Sequence, residues 1–238
     1  MLPMGNAMNI VILTGAGISA ESGLSTFRDP AGLWSRHDWR DVATPEGFAR
    51  DPRGVHAFYN MRRAVVLGSV PNAAHHALAR LQAAWPGRVT LVTQNVDRLH
   101  EAAGSPGVIH MHGTHARALC AACGNRWDAP DVMSVDDACG ACGTAGRVRP
   151  DVVWFGETPH HLPAIHAAVA AAELFVSIGT SGTVQPAAGL VRRAAAAGAR
   201  CLELNLEPSA RAGLFGEARY GRATDVVPAW VDDMLAGI

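Results

Sequence analysis

Short, unbroken apolar runs recur along the chain at residues 9–14 (NIVILT), 88–93, 108–111, 173–178 and 200–206. Runs without polar alternation are what strands covered on both faces require. Between them, residues 72–84, 162–172 and 185–197 have helical spacing, the last with Pro186 in its first turn. Gly15-Ala16-Gly17 follows the first run and turns the chain into a helix through about Ser22. Strands alternating with helices predict an α/β fold, a Rossmann-like parallel sheet with helices on both faces. Two segments break the rhythm. Residues 36–71 have helical spacing without a partner strand, and residues 115–147 carry two cysteine pairs. Both read as insertions forming a small lobe, which leaves 1–35, 72–114 and 148–238 for the main domain.

Composition narrows the function classes. Of 238 residues, 49% are hydrophobic and 17% charged, which excludes intrinsic disorder. A net charge of −1 provides no field that would recruit nucleic acid or an anionic membrane, and neither is expected as a partner. All 20 cations are Arg, a pattern best read as coding bias. Glu173, Arg192, Arg193 and Arg200 interrupt the most apolar stretches before the roughly 20 residues of a membrane helix accumulate. The first residues have neither a positive start nor a long apolar core, so no signal peptide is expected. Four of the five cysteines lie in close pairs, a metal pattern of a reducing compartment, and a cytoplasmic location is expected.

The candidate chemistry lies in three places. Gly15-Ala16-Gly17-Ile18-Ser19-Ala20 fits G-x-G-x-x-A after a strand, where glycines let the backbone approach a pyrophosphate. The ribose-binding acid that usually ends a second strand is missing, and Arg28 follows instead, so a plain dehydrogenase is disfavoured. Cys120-x2-Cys123 and Cys139-x2-Cys142 are separated by 15 residues. Four thiolates on two tight knuckles close a tetrahedral shell around one structural Zn²⁺. Cys201, in a strand-like run, reads as a core residue. Finally, Thr93-Gln94-Asn95-Val96-Asp97-Arg98-Leu99-His100 and His110-Met111-His112-Gly113 both end strands, so their polar groups should converge on one crevice with the glycine turn. A metal pair at His110 and His112 is disfavoured because the zinc already has a full shell, and His75, His76 and His100 read as structural or surface groups.

In these motifs the chain resembles the sirtuins, NAD-dependent protein-lysine deacylases. The matching pieces run in order through Gly15-Ala16-Gly17-Ile18-Ser19, Gly23-x3-Phe27-Arg28, Thr93-Gln94-Asn95-Val96-Asp97, His112-Gly113 and the cysteine pairs. They continue through Arg149-Pro150-Asp151-Val152-Val153-Trp154-Phe155-Gly156-Glu157, Gly179-Thr180-Ser181 and Asn205-Leu206-Glu207. The resemblance implies an NAD-binding main domain. Its cofactor loop would span residues 15–34, with Gly15, Ala16, Gly17, Ser19, Glu21, Thr26, Phe27, Arg28 and Trp34 as cofactor contacts. Gln94, Asn95 and Asp97 would hold the nicotinamide ribose and carboxamide. Gly179, Thr180, Ser181, Asn205, Leu206 and Glu207 would hold the adenosine half, with Ala223 beside the adenine. Ser25 and Thr26 stand where many sirtuins have Pro and Asp.

The resemblance also implies the chemistry. The acyl-lysine carbonyl oxygen attacks C1′ of the nicotinamide ribose and nicotinamide leaves. His112 then acts as general base on a ribose hydroxyl, which attacks the former amide carbon to give free lysine and O-acyl-ADP-ribose. Val152, Val153, Phe155, Gly156 and Glu157 would contact the peptide as an added strand. Tyr59-x2-Arg62 places a phenol and a guanidinium on one helix face, a shape suited to a carboxylate. With Thr26 before Phe27 and the Asp41-Val42-Ala43-Thr44-Pro45 stretch, that pair resembles the subgroup removing succinyl, malonyl or glutaryl groups, in which the small residue matching Ala43 leaves space for a longer acyl chain; acetyl-lysine is not excluded as a substrate. Mono-ADP-ribosyl transfer and a non-catalytic NAD-sensing zinc module are the competing readings.

Overall fold

The computed structural model describes residues 8–25 and 37–238. β1 (Ile10–Thr14) leads through a glycine turn towards three helices, α1 (Trp39–Val42), α2 (Pro45–Arg50) and α3 (Pro52–Leu67). α4 (Ala73–Ala84), β2 (Val89–Thr93), α5 (Leu99–Ala102) and β3 (Ile109–His110) follow. Next come β4 (Gly113–Cys120), β5 (Arg126–Asp128) and β6 (Val148–Val152). The chain ends with α6 (Leu162–Ala170), β7 (Leu174–Ile178), α7 (Leu190–Ala196), β8 (Arg200–Asn205), β9 (Glu217–Tyr220) and α8 (Ala223–Ala236).

The main sheet is parallel, in the order β3-β2-β1-β7-β8-β9. Its register pairs Ile10 with Val89 and Leu174, and Thr14 with Thr93 and Ile178. Successive side chains of a strand point to opposite faces, and both faces here are covered. Ile10 and Ile12 pack with Leu78, Leu81, Val227 and Trp230 from α4 and α8, while Val11 and Leu13 pack with Ile165, Val169 and Val191 from α6 and α7. That division explains why the strand sequences read as unbroken apolar runs.

A second, antiparallel sheet has the order β5-β4-β6. α1–α3 close over its end near Val152 and Trp154, with Val42, Val55, Phe58 and Tyr59 buried between them. Around the cysteines the apolar core is small: Ala118, Met133 and Val148 beside Cys120 and Cys139.

Two expectations need correction, and two elements lie beyond those expected. The turn after β1 is not a helix through Ser22 but two 3-10 turns, Ala16–Ile18 and Ala20–Ser22. Asn72 Nδ2 takes the Ile18 carbonyl and the Ser22 hydroxyl, and Gly23 at φ 85° ends the segment, so no i→i+4 ladder develops. The stretch 185–197 begins with a 3-10 turn, Ala187–Gly189, before α7, and Pro186 precedes it rather than standing in an α-helical first turn. The carbonyls of Pro186 and Ala187 accept from Gly189 and Leu190, three residues on, which sets the tighter winding. Finally, β9 and α8 lie beyond the last expected strand and helix.

Candidate functional site

Parallel strands end together, so β1, β2 and β7 deliver their following loops to one edge of the sheet. The glycine turn after β1 sits directly against the turn after β7. Gly17 N donates to Gly179 O at 2.9 Å, and a Cβ on Gly17 would lie 2.7 Å from Gly179 Cα. Gly179 itself has φ 61°. Only residues without a side chain permit this approach. Beneath the turns, Thr14 Oγ1 donates to Thr93 Oγ1 at 2.8 Å and meets His100 Nε2 at 3.0 Å, all three groups buried.

The segment after β2 is tied to the glycine turn by a buried polar cluster. Asn95 Nδ2 donates to Ser19 Oγ at 3.1 Å, and Ser19 Oγ donates to Asp97 Oδ2 at 3.1 Å. The second oxygen of Asp97 caps Leu99 N at 3.1 Å. Burial pushes the Asp97 carboxyl up, partly offset by the Leu99 and Ser19 bonds and the charge of His110. His75 Nε2 lies 3.4 Å from Ser19 Oγ, and its ring packs edge-on against His100 at 4.9 Å. Burial lowers both imidazoles, His75 to about 4 and His100 to about 3, so both are neutral in this cluster. Both read from the sequence as structural or surface groups, and both form the buried floor of the crevice.

His112 follows β3 and faces the same crevice. Its Nδ1 lies 3.2 Å from the Gln94 carbonyl, which can only accept, so Nδ1 carries the proton and Nε2 keeps its lone pair when the ring is neutral. Burial lowers the His112 pKa, the Gln94 bond raises it in part, and the nearby His160 lowers it further.

On the other predicted cofactor contacts, Asn205 Nδ2 donates to Thr180 O at 2.9 Å and Leu206 N to Asn205 Oδ1 at 3.0 Å, placing the loop after β8 beside the loop after β7. Ser181 Oγ meets Thr183 Oγ1 at 2.7 Å in that loop, and Glu207 follows Leu206, which is exposed. Glu21 accepts from Thr224 N and Oγ1 at 3.0 and 2.7 Å, holding the start of α8, where Ala223 stands, against the second 3-10 turn. Thr26, Phe27, Arg28 and Trp34 lie outside the described residues.

The predicted acyl pair lies on α3. Tyr59 is buried, and its hydroxyl accepts from Trp154 Nε1 at 2.8 Å, which leaves the phenolic proton to donate elsewhere. Burial raises that phenol to about 12, so it stays protonated. Arg62 Nε donates to His115 Nε2 at 3.4 Å, and its guanidinium lies 5.8 Å from the Phe58 ring. Ala43 is buried, and its carbonyl accepts from Phe155 N at 2.9 Å. β6 is an edge strand of its sheet, and Val153 N beyond it donates to His112 O at 2.9 Å. Glu157 grips Arg149 with both oxygens at 2.8 Å and caps Trp154 N at 2.8 Å, while Gly156 turns the chain at φ 91°. Arg149 in turn stacks over the Trp154 ring at 3.7 Å. Sequence reasoning did not find Trp154 or His115 as supports, because their partners Tyr59 and Arg62 are distant in the chain.

The four cysteine sulfurs lie within 4.8 Å of one another, with Cys120–Cys142 at 3.8 Å and Cys123–Cys139 at 3.7 Å. Zinc–thiolate bonds of about 2.3 Å in a tetrahedron give sulfur–sulfur edges of about 3.8 Å. The cluster therefore fits one zinc with no open position.

Residues 15–186 match the Sir2 family. An NAD-dependent protein deacylase of Caulobacter vibrioides is 54% identical over 98% of this chain and 99% of its own length. An NAD-dependent protein deacylase of Leishmania major is 52% identical, over 95% of each chain. Among solved structures, a Sir2 homologue in complex with NAD superposes with a TM-score of 0.88 at 37% identity, covering 96% of this chain and 90% of that one. A Sir2 complex with an inhibitor, 2′-O-acetyl-ADP-ribose and deacetylated p53 peptide gives a TM-score of 0.80 at 27% identity, over 94% and 93%. With the glycine turns, the Asn95–Asp97 cluster and His112 at the edge of the parallel sheet and the four-cysteine site in the lobe beside it, the chain belongs to the Sir2 family.

Proposed function

We propose that this protein is an NAD-dependent protein-lysine deacylase that removes acidic acyl groups, succinyl and malonyl, and acetyl as well. Bound NAD would supply an electrophilic ribose carbon once nicotinamide departs, so the protein need not activate water against an amide. Gly15, Gly17, Gly179, Thr180 and Asn205 would line the cofactor, and the paired amide and carboxylate of Asn95 and Asp97 suit a ribose and a carboxamide. Protein chains carrying acylated lysine are the substrates this activity requires.

The observation that carries the reading is the His112–Gln94 bond. By fixing the proton on Nδ1, it leaves Nε2 as the base that takes a proton from a hydroxyl in the crevice. A lowered pKa keeps that base neutral below the ordinary histidine value, so the general-base step loses rate only as pH falls through the lowered pKa.

For the acyl group, the Trp154 bond to Tyr59 supports the acidic reading. It fixes the phenol as a donor three residues from Arg62, and a carboxylate accepts from both. Charge-assisted bonds contribute roughly 1.5–3 kcal/mol each, so losing one or two costs about one to four orders of magnitude. One peptide carrying succinyl- or acetyl-lysine, followed by mass and nicotinamide release with and without NAD, tests the activity. Arg62→Met is expected to depress desuccinylation by that factor and to leave much of the deacetylation. Equal loss on both substrates removes the acidic-acyl reading, and covalent labelling of the acceptor protein in place of O-acyl-ADP-ribose removes the deacylase.

A further inference from the structure

His110 stands two residues before His112, and the proposed reaction gives it no part. Both of its nitrogens are engaged: Nδ1 lies 3.1 Å from the Asn95 carbonyl and Nε2 lies 2.8 Å from Glu101 Oε1. A carbonyl and a carboxylate only accept, so both bonds exist together only when both ring nitrogens carry protons. The two partners belong to different elements, Asn95 to the segment after β2 and Glu101 to α5, and the ring bridges them. Asn95 is the residue whose side chain reaches Ser19, and through it Asp97.

We propose that His110 is a positioning residue: as an imidazolium clamped between Asn95 and Glu101 it locks the 94–97 segment in its NAD-binding geometry, and its deprotonation sets an alkaline limit on cofactor binding. A neutral ring would keep its one proton on the stronger, charge-assisted bond to Glu101. The bare Nδ1 would then face the Asn95 carbonyl, acceptor against acceptor, and push the segment away from Ser19.

The surroundings favour the charged ring. Burial opposes it, but the Glu101 bond and charge, the Asn95 carbonyl and Asp97 outweigh burial and raise the His110 pKa above the ordinary value. At Glu101, burial is likewise outweighed by the His110 bond and charge, with Arg98 Nε at 3.8 Å, and its pKa is lowered, so the shared proton belongs to the ring. His100 on α5 and His112 beyond β3 both have lowered pKa values, so neither sets a second positive charge against the ring. The two histidines of one short segment thus work in opposite states, His112 as a neutral base and His110 as a cation.

The inference rests on the NAD-dependent reading, and its test separates the two. Ring nitrogen NMR of the full chain follows the His110 titration directly, and calorimetry follows NAD affinity against pH in the wild type, Glu101→Gln and His110→Gln. The expected results are a His110 ring doubly protonated at pH 6.5 and a fall in NAD affinity of about tenfold as it deprotonates, the equivalent of one hydrogen bond to a charged group. Glu101→Gln should move that fall to lower pH. His110→Gln should abolish it and raise KM for NAD more than it lowers kcat. A ring that titrates at or below 6.5, or an alkaline fall unchanged in His110→Gln, overturns the proposal. Absence of NAD-dependent turnover on any acyl-lysine peptide would instead overturn the deacylase, while the ring titration still judges His110.

Discussion

At the carboxyl ends of β1 and β2, Thr14 and Thr93 are fully buried, with Ser19 and His100 at 1% exposure, and each is bound to a neighbour within the same cluster. Around the cysteines the proportions reverse. Cys123 and Cys142 are exposed, and the apolar packing beneath them amounts to a few side chains. The crevice is preorganised by the sheet: apart from the buried His100 Nδ1, the polar groups of this cluster bind one another in the folded chain, so a ligand meets a geometry already made. The four-cysteine lobe is too thin for that and draws its order from a metal, whose binding free energy is folding free energy.

The largest expected effect follows from removing the metal. Structural zinc contributes about 10–16 kcal/mol in comparable small sites. Stripping it with a chelator, or substituting Cys120→Ser, should open residues 121–147 to protease and hydrogen exchange while the parallel sheet keeps its protection. An equally protected lobe without zinc would break the contrast, and a sheet that unfolds with it would show that the two regions form one cooperative unit.

Gly17→Ala acts on the other side of the comparison. The added Cβ would stand 2.7 Å from Gly179 Cα and 2.9 Å from its carbonyl oxygen, both backbone atoms that no rotamer change can move aside. Overpacking of this kind costs about 1–3 kcal/mol, and here it must part the two turns that line the crevice. Calorimetry should find NAD binding weakened at least tenfold, with zinc content still one per chain. Unchanged NAD affinity would mean that the crevice tolerates looser turns than its packing indicates.

The same contrast explains what could be read in the sequence. β1, β7 and β8 were legible because burial on both faces demands an unbroken apolar run, and the cysteine spacing was legible because zinc dictates it. β9 was not: Glu217-Ala218-Arg219-Tyr220 is an edge strand with mostly exposed side chains, so no burial pattern marks it. β5, Arg126–Asp128, is hidden for the same reason. α8 carries Pro228 inside it, a residue that argues against a helix, although Val227, Trp230 and Val231 bury one face at helical spacing. The glycine turn was identified but its winding was not, because Asn72, some fifty residues away, decides it. Of the crevice residues, Asn95, Asp97 and His112 follow from motif positions. The pairing of His110 with Glu101 does not, since it depends on α5 folding back beside β3.

The smallest effect tests the joint between the regions. Asn60 on α3 donates from Nδ2 to Met133 O at 2.8 Å and accepts from Met133 N at 3.0 Å, as one strand pairs with another, and Arg63 Nε reaches His115 O at 3.0 Å beside it. The Asn60 bonds connect the helix carrying Tyr59 and Arg62 to the loop between the cysteine pairs, and the Arg63 bond connects it to β4. Asn60→Ala leaves a partly buried backbone donor and acceptor without partners, at a cost of about 1–3 kcal/mol. If the lobe is ordered by zinc and only fastened by Asn60, denaturant unfolding should report that loss, zinc should remain bound, and KM for a succinyl peptide should rise while NAD affinity holds. A variant that instead releases zinc would show that α3 is part of what folds the lobe, and the metal would then be one support among several.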